Sequence, residues 1–164
     1  MTAYRVGIGY DIHRFAPGRK LFLGGVHIPF TSGLLGHSDA DVVLHAVADA
    51  LLGAMGEDDI GKHFPDSSVR CKDISSLVIL KKVAAILRNK SYKVVNVDVM
   101  LLLERPKISP FKAKMKANIA GILKVTQDAV SVKATTHEGV GAIGRGQAAA
   151  AYAVVLIQKG SPDA

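Results

Sequence analysis

The chain has 164 residues, 49% of them hydrophobic, and 21 Lys and Arg against 14 Asp and Glu give a formal charge of +7. That length buries roughly 70% of the unfolded chain's surface in one domain spanning 1–164, and no run is long enough for a membrane span. The single cysteine, Cys71, excludes an intrachain disulfide and a cysteine-rich zinc site, while 5% aromatics without Trp gives little support for base stacking on nucleic acid, so the basic charge points to a small phosphorylated ligand.

The N-terminal Met-Thr-Ala-Tyr-Arg-Val has neither an apolar signal core nor transit-peptide character, which with one Cys predicts a cytoplasmic protein. Tyr4, Val6, Ile8, Tyr10 and Ile12 alternate with polar positions, predicting a strand over 4–13 with Asp11 and His13 together on its other face. Pro17-Gly18 marks a turn, and Leu21–Leu23 and Val26–Ile28 around Gly24-Gly25 predict a hairpin. Pro29 to Gly36 leads into His37-Ser38-Asp39-Ala40-Asp41, which runs into a helix capped by Ser38 or Asp39 and ending near Gly53 or Gly56. Its apolar stripe is Val43, Val47, Ala50, Leu51 and Ala54; Asp41, His45 and Asp49 recur on another face.

Glu57 to Asp66 is dense in acid, Gly and Pro and reads as a loop continued by 67–72. A second amphipathic helix is predicted over 74–89, with Leu77, Leu80, Ala84 and Leu87 inward. Tyr92 to Leu103 is the clearest strand, with Val95, Val97, Val99 and Leu101 on one side, broken by Glu104-Arg105-Pro106-Lys107. Ser109-Pro110 opens a third helix to about Leu123, carrying Lys112, Lys114 and Lys116; Ala129 to Thr135 is a strand. Gly139 to Gly144 fits G-x-G-x-x-G, but the dinucleotide motif needs a helix directly after it, and 147–158 reads as an Ala/Val-rich strand. The order β, hairpin, α, α, β, α, β, β predicts an α+β fold: a mixed β-sheet with helices packed on one face. The strands around Val95 and Val154 leave more apolar sheet than three helices cover, so the other face is expected to pack against copies of the chain, which the resemblance described below implies form a homotrimer.

Asp11 and His13 on a strand, with His45 on a helix, supply three ligands of the types zinc takes, leaving a fourth position open as in catalytic sites. Together with these, Asp11-Ile-His13, His37-Ser38-Asp39-x-Asp41, Asp59-Ile60-Gly61, Phe64-Pro65-Asp66, Pro106-Lys107, Lys133-Ala-Thr-Thr136, Glu138 and Gly144-Arg145-Gly146 resemble, in order along nearly the whole chain, the 2-C-methyl-D-erythritol 2,4-cyclodiphosphate synthase family.

The resemblance implies a homotrimer with active sites between subunits, acting in the non-mevalonate isoprenoid pathway. It implies that 4-diphosphocytidyl-2-C-methyl-D-erythritol 2-phosphate is cyclised with release of CMP, without nucleic acid or membrane partners. It assigns Zn2+, or another divalent cation, to Asp11, His13 and His45, and Mg2+ or Mn2+ to the substrate diphosphate. His37 and Thr136 match the transition-state positions. Asp11, Ile12, His13, His37 and Ser38 match substrate-binding positions, and Asp59, Ile60, Gly61, His63, Phe64, Pro65 and Asp66 match the erythritol phosphate contacts. Leu103, Glu104, Arg105, Pro106, Lys107, Ile108, Ser109, Thr135, Thr136, His137 and Glu138 match those of the cytidine and its phosphates, and Ala142 and Arg145 match further substrate-binding positions.

Four positions depart from the family pattern: Gln147 and Ala148 where Glu and Gly are usual, Ala142 where an aromatic is frequent, and Tyr152 where an acid occurs. Two other readings stand beside this one. A nucleotide-binding module without turnover would close its zinc with His37 or His63. A zinc phosphoesterase would use a metal-bound water and release inorganic phosphate.

Overall fold

A computed structural model describes residues 3–65 and 74–160. Strand β1 (Tyr4–Pro17) is followed by the β2 (Leu21–Leu23) and β3 (Val26–Ile28) hairpin, β4 (Ser32–Leu34), helix α1 (Val42–Met55), the single turn α2 (Ile60–His63) and α3 (Ser76–Asn89). The chain continues through β5 (Tyr92–Leu102), α4 (Lys112–Leu123) entered by a 3-10 turn at Ser109–Phe111, β6 (Val130–Thr135), the turn α5 (Gly141–Gly144) and β7 (Ala148–Lys159). The main sheet runs β4-β1-β7-β5-β6, antiparallel except for the parallel β5–β6 pair. The expected α+β class with a mixed sheet is therefore what the chain adopts.

Alternation along each strand decides the layering. Gly7 and Gly9 of β1, Ala149, Ala151, Ala153, Val155 and Ile157 of β7, and Val97, Val99 and Leu101 of β5 are buried, with α1 against β1 and β7, α3 against β5 and α4 against β6. Small residues here set the distance between layers. A Cβ on Gly9 would fall 1.9 Å from the Ala46 carbonyl oxygen, and one on Gly7 1.9 Å from that of Ala50. The Ala-rich run of β7 is thus a strand whose side chains leave room for a closely seated helix. Twelve of the fourteen α1 residues are buried, so it is a central helix rather than one with the single apolar stripe expected.

Several local expectations are corrected. The N-cap of α1 is Asp41, not Ser38 or Asp39. Its buried carboxylate accepts from the amides of Gly24, Gly25, Val43 and Leu44, stitching the β2–β3 turn to the helix, so Asp41 is structural. Gly56, one of the two glycines expected to end the helix, does so in the left-handed region at φ 74. Strand β1 runs on to Pro17 because its far end pairs with β4, an element whose three residues carry no recognisable period. A bulge between Val94 and Asn96 turns Val95 outward and places Val94, not Val95, on the side of Val97, Val99 and Leu101. The acidic loop contains α2, nucleated by the Asp59 carboxylate accepting from the Lys62 amide. Asp66, Cys71 and the 67–72 continuation lie outside the described residues.

Candidate metal centre and ligand-binding segments

The period-2 geometry of β1 puts Asp11 and His13 on its helix-facing side, and α1 presents His45 to them from above. His45 Nδ1 lies 2.8 Å and His13 Nε2 3.1 Å from the same oxygen, Asp11 Oδ2. Potential ligand atoms of the three residues all fall within 4.8 Å of one another, and no other His, Cys, Asp or Glu among the described residues joins the group. His45 is buried, Asp11 and His13 half-buried. Burial alone would raise the Asp11 carboxyl, but hydrogen bonds from His13 and His45 more than offset it and hold it well below the usual carboxylate range. Burial alone would lower the His45 ring, yet its hydrogen bond to the Asp11 carboxylate raises it above the ordinary imidazole value. Two imidazole nitrogens converging on one carboxylate oxygen are a donor set that fits a divalent ion of zinc type.

The far side of the His45 ring is held as well. His45 Nε2 lies 2.9 Å from Ser76 Oγ and 3.2 Å from Ser38 Oγ, and Ser76 Oγ donates to the Asp39 carboxylate. His37 stands between two residues that touch ligand rings: Ser38 against His45, and Gly36, where a Cβ would meet His13 Cε1 at 3.1 Å. Asp49, one turn beyond His45, accepts from the Ile60 amide at 2.8 Å and so docks the Asp59–Gly61 segment onto α1. Lys82 lies over the Phe64 ring at 5.4 Å, tying the end of that segment to α3. His63 sits 3.7 Å from Glu57, outside the metal group.

A second group forms where β5 and β6 end. Leu103 donates its amide to the Thr135 carbonyl at 3.0 Å, and the Glu104 carboxylate accepts from the His137 amide at 2.7 Å. The 103–109 and 135–138 segments are thus clamped together. The Thr136 hydroxyl donates to Glu138, a non-glycine residue in the left-handed region at φ 49. The Arg145 side chain donates to Gln147 at 3.3 Å, and Ala142 is exposed on the α5 turn. Both groups lie at one end of the sheet. Asp11 is two strands from Leu101 and three from Ala134 in register, which at about 4.8 Å per strand separates them by roughly 10–14 Å.

The structure therefore joins the metal triad to the His37–Ser38 and Asp59–Pro65 segments, and joins 103–109 to 135–138, but leaves a gap between the two groups within one chain. Sequence reasoning missed Ser76, gave Asp39 a role only as a candidate helix cap and gave Gly36 none. The only signal for Ser76 is a second serine directly after the Ser75 cap of α3, a hydroxyl that capping does not need. Among the described residues, no helix is long and apolar enough to cross a membrane.

The YgbB family model matches residues 4–158. A 2-C-methyl-D-erythritol 2,4-cyclodiphosphate synthase from Caldicellulosiruptor bescii is 60% identical over 94% of this chain and 98% of its own length. A synthase of the same name from Chloroherpeton thalassium is 59% identical over 94% and 99%. Among solved structures, the CDP complex of IspF from Plasmodium falciparum superposes with a TM-score of 0.86 at 34% identity, covering 97% of this chain and 98% of that one. The bifunctional IspDF from Campylobacter jejuni gives 0.93 at 37% identity; this chain spans 97% of itself and 43% of that longer protein.

Proposed function

The chain belongs to the YgbB family, and from that membership we infer that it converts 4-diphosphocytidyl-2-C-methyl-D-erythritol 2-phosphate to 2-C-methyl-D-erythritol 2,4-cyclodiphosphate with release of CMP, a step of the non-mevalonate isoprenoid pathway. The observation that carries this is the Asp11–His13–His45 convergence in a chain 60% identical to a synthase of that name. An oxygen of the 2-phosphate attacks the β-phosphorus; the bond from that phosphorus to the bridging oxygen breaks, and CMP leaves with the oxygen. No water and no protein nucleophile take part, so the chain's work is positioning and charge stabilisation.

Asp11, His13 and His45 would hold Zn2+, with Mg2+ or Mn2+ accompanying the diphosphate; these cations supply Lewis-acid neutralisation of the phosphoryl oxygens. His37 and Thr136 stand at the reacting phosphate, where Glu138 fixes the Thr136 hydroxyl rotamer. The Asp59–Gly61 and His63–Asp66 segments hold the erythritol phosphate, and Asp49 orients the first of them through the Ile60 amide. Leu103–Ser109 and Thr135–Glu138 bind the cytidine and its phosphates, with Lys107 and Arg145 adding positive charge. The roughly 10–14 Å between the two groups favours a homotrimer in which one subunit's metal faces a neighbour's cytidine segments. The reaction class is phosphorus-oxygen lyase, and the compartment the cytoplasm.

Phosphorus NMR of the reaction decides among the chemistries. The cyclic diphosphate with stoichiometric CMP is expected. Inorganic phosphate would indicate a zinc phosphoesterase, and unchanged substrate bound to the protein a module without turnover; either outcome removes the proposed reaction.

A further inference from the structure

The hydrogen bonds behind His45 carry information about which of its ring nitrogens the protein offers. A serine hydroxyl has one proton and two lone pairs. The Ser76 proton is committed to the Asp39 carboxylate. The same carboxylate also accepts from the Ser76 backbone amide at 3.1 Å and 3.2 Å, so the pair is held at two points. Toward His45 Nε2, at 2.9 Å, Ser76 Oγ therefore has only a lone pair to present. The ring nitrogen facing it must carry the proton, because two opposed lone pairs at that distance in a buried site repel. Ser38 does not oppose this: its oxygen already accepts from the Ala40 amide, and at 3.2 Å from Nε2 it serves equally as acceptor. Ser76 is 0% exposed, so no solvent competes for either hydrogen bond.

We propose that Asp39 and Ser76 act as a positioning pair that keeps the proton on His45 Nε2, so that Nδ1 alone, the nitrogen facing Asp11 and His13, is available as a metal ligand. The inference rests on the metal reading above and adds to it the residues that choose the donor atom. Asp39 sets the direction of the Ser76 hydroxyl, Ser76 sets the proton on the ring, and the ring turns its remaining lone pair to the metal. Asp39 also donates its amide to the Ile74 carbonyl at 3.3 Å, so the approach to α3 and the metal helix α1 are joined at this point.

The experiment uses the full chain loaded with zinc. Long-range proton–nitrogen NMR on the wild type should show His45 with a solvent-protected Nε2 proton and a metal-shifted Nδ1. Chelator competition should show zinc binding weakened about 10- to 100-fold in Ser76→Ala and in Asp39→Asn, the usual range for loss of a group that orients a metal-bound His. The Nε2 proton should exchange with water at least tenfold faster in both variants. If His45 binds zinc through Nε2, or if both variants keep wild-type affinity and exchange while only their melting temperatures fall, the pair is structural and the inference is wrong. A wild type that takes up no zinc overturns the metal reading as well, which separates the two failures.

Discussion

At the scale of single residues, Asp11 and His45 make the metal-free protein and the metal-binding protein respond oppositely to pH. The lowered Asp11 carboxyl contributes stability above the ordinary carboxylate range and loses it as acid protonates the group. The raised His45 ring contributes fully below the ordinary imidazole value, about 6.5, and loses its contribution as pH rises through its higher folded value. Metal binding needs Nδ1 without its proton, so affinity climbs over that same alkaline step. Melting of chelator-stripped protein should therefore fall, and zinc affinity by competition should rise, as pH increases past neutrality; parallel trends would show that the Asp11–His45 pair does not govern either. A second residue-level prediction concerns the base. Glu104 spends one carboxylate oxygen on the His137 amide, so it is a clamp between two segments, and under the proposed function the main chain of 103–109 would accept from the cytosine amino group. Glu104→Gln keeps an acceptor oxygen and should leave the preference for the cytidine substrate over its uridine analogue within about threefold. Pro106→Gly loosens the turn and should reduce that preference at least tenfold, since an unpaired buried acceptor is what rejects the wrong base. Comparing kcat/KM for the two nucleotides reads both effects, and the reverse order would put base recognition in the Glu104 side chain.

At the scale of elements, the contact between β1 and α1 fixes the site as much as the ligands do. Gly9→Ala would drive a methyl group into the Ala46 carbonyl, one residue after His45. The expected cost is about 3 kcal/mol, the upper end for overpacking, and zinc affinity should fall with it because the helix is pushed from Asp11. Denaturant unfolding together with chelator competition checks this; a variant of wild-type stability would mean the layers have slack. Strand and helix periods made most elements legible in the sequence, as did Asp11-x-His13, whose shared face follows from alternation alone. The closeness of the layers was not legible, because a glycine in a strand pattern says nothing about what it faces. The bulge at Val95 was hidden by a Val-Val pair that satisfies either register. Asp39 and Ser76 were hidden for another reason: their partner is the back of His45, and only the docking of α3 beside α1 brings them together.

At the scale of the whole molecule, the sheet has one face covered by helices and one bare. Tyr4, Val6 and Ile8 are 58%, 67% and 68% exposed, and Tyr10, Ile12, Tyr152 and Val154 continue the patch. The Tyr10 and Tyr152 rings meet within it at a 4.7 Å centroid distance, tilted by 40°. An apolar surface of this extent marks an interaction site, and under the proposed function three copies packed on it would bring the 103–109 and 135–138 segments of one chain toward Asp11, His13 and His45 of the next. Light scattering at micromolar concentration should give a trimer, and Ile8→Asp should give monomers that bind zinc but turn over at least a hundredfold more slowly. A stable wild-type monomer would refute the assembly. Strand β1 carries both the bare patch and two residues of the metal group: its even-numbered residues from Tyr4 to Ile12 form the patch, while Asp11 and His13 look toward α1. The two faces alternate residue by residue, so they share a single reading frame. Deleting one residue between Tyr4 and Tyr10 would exchange the faces for everything on one side of the cut, turning aspartate and histidine toward the bare face and isoleucine toward the helix. This stretch of the gene should accept many codon changes on the edge of the patch but no change in length, whereas the turn at Gly18, where a Cβ would meet nothing within 4 Å, has room for insertions.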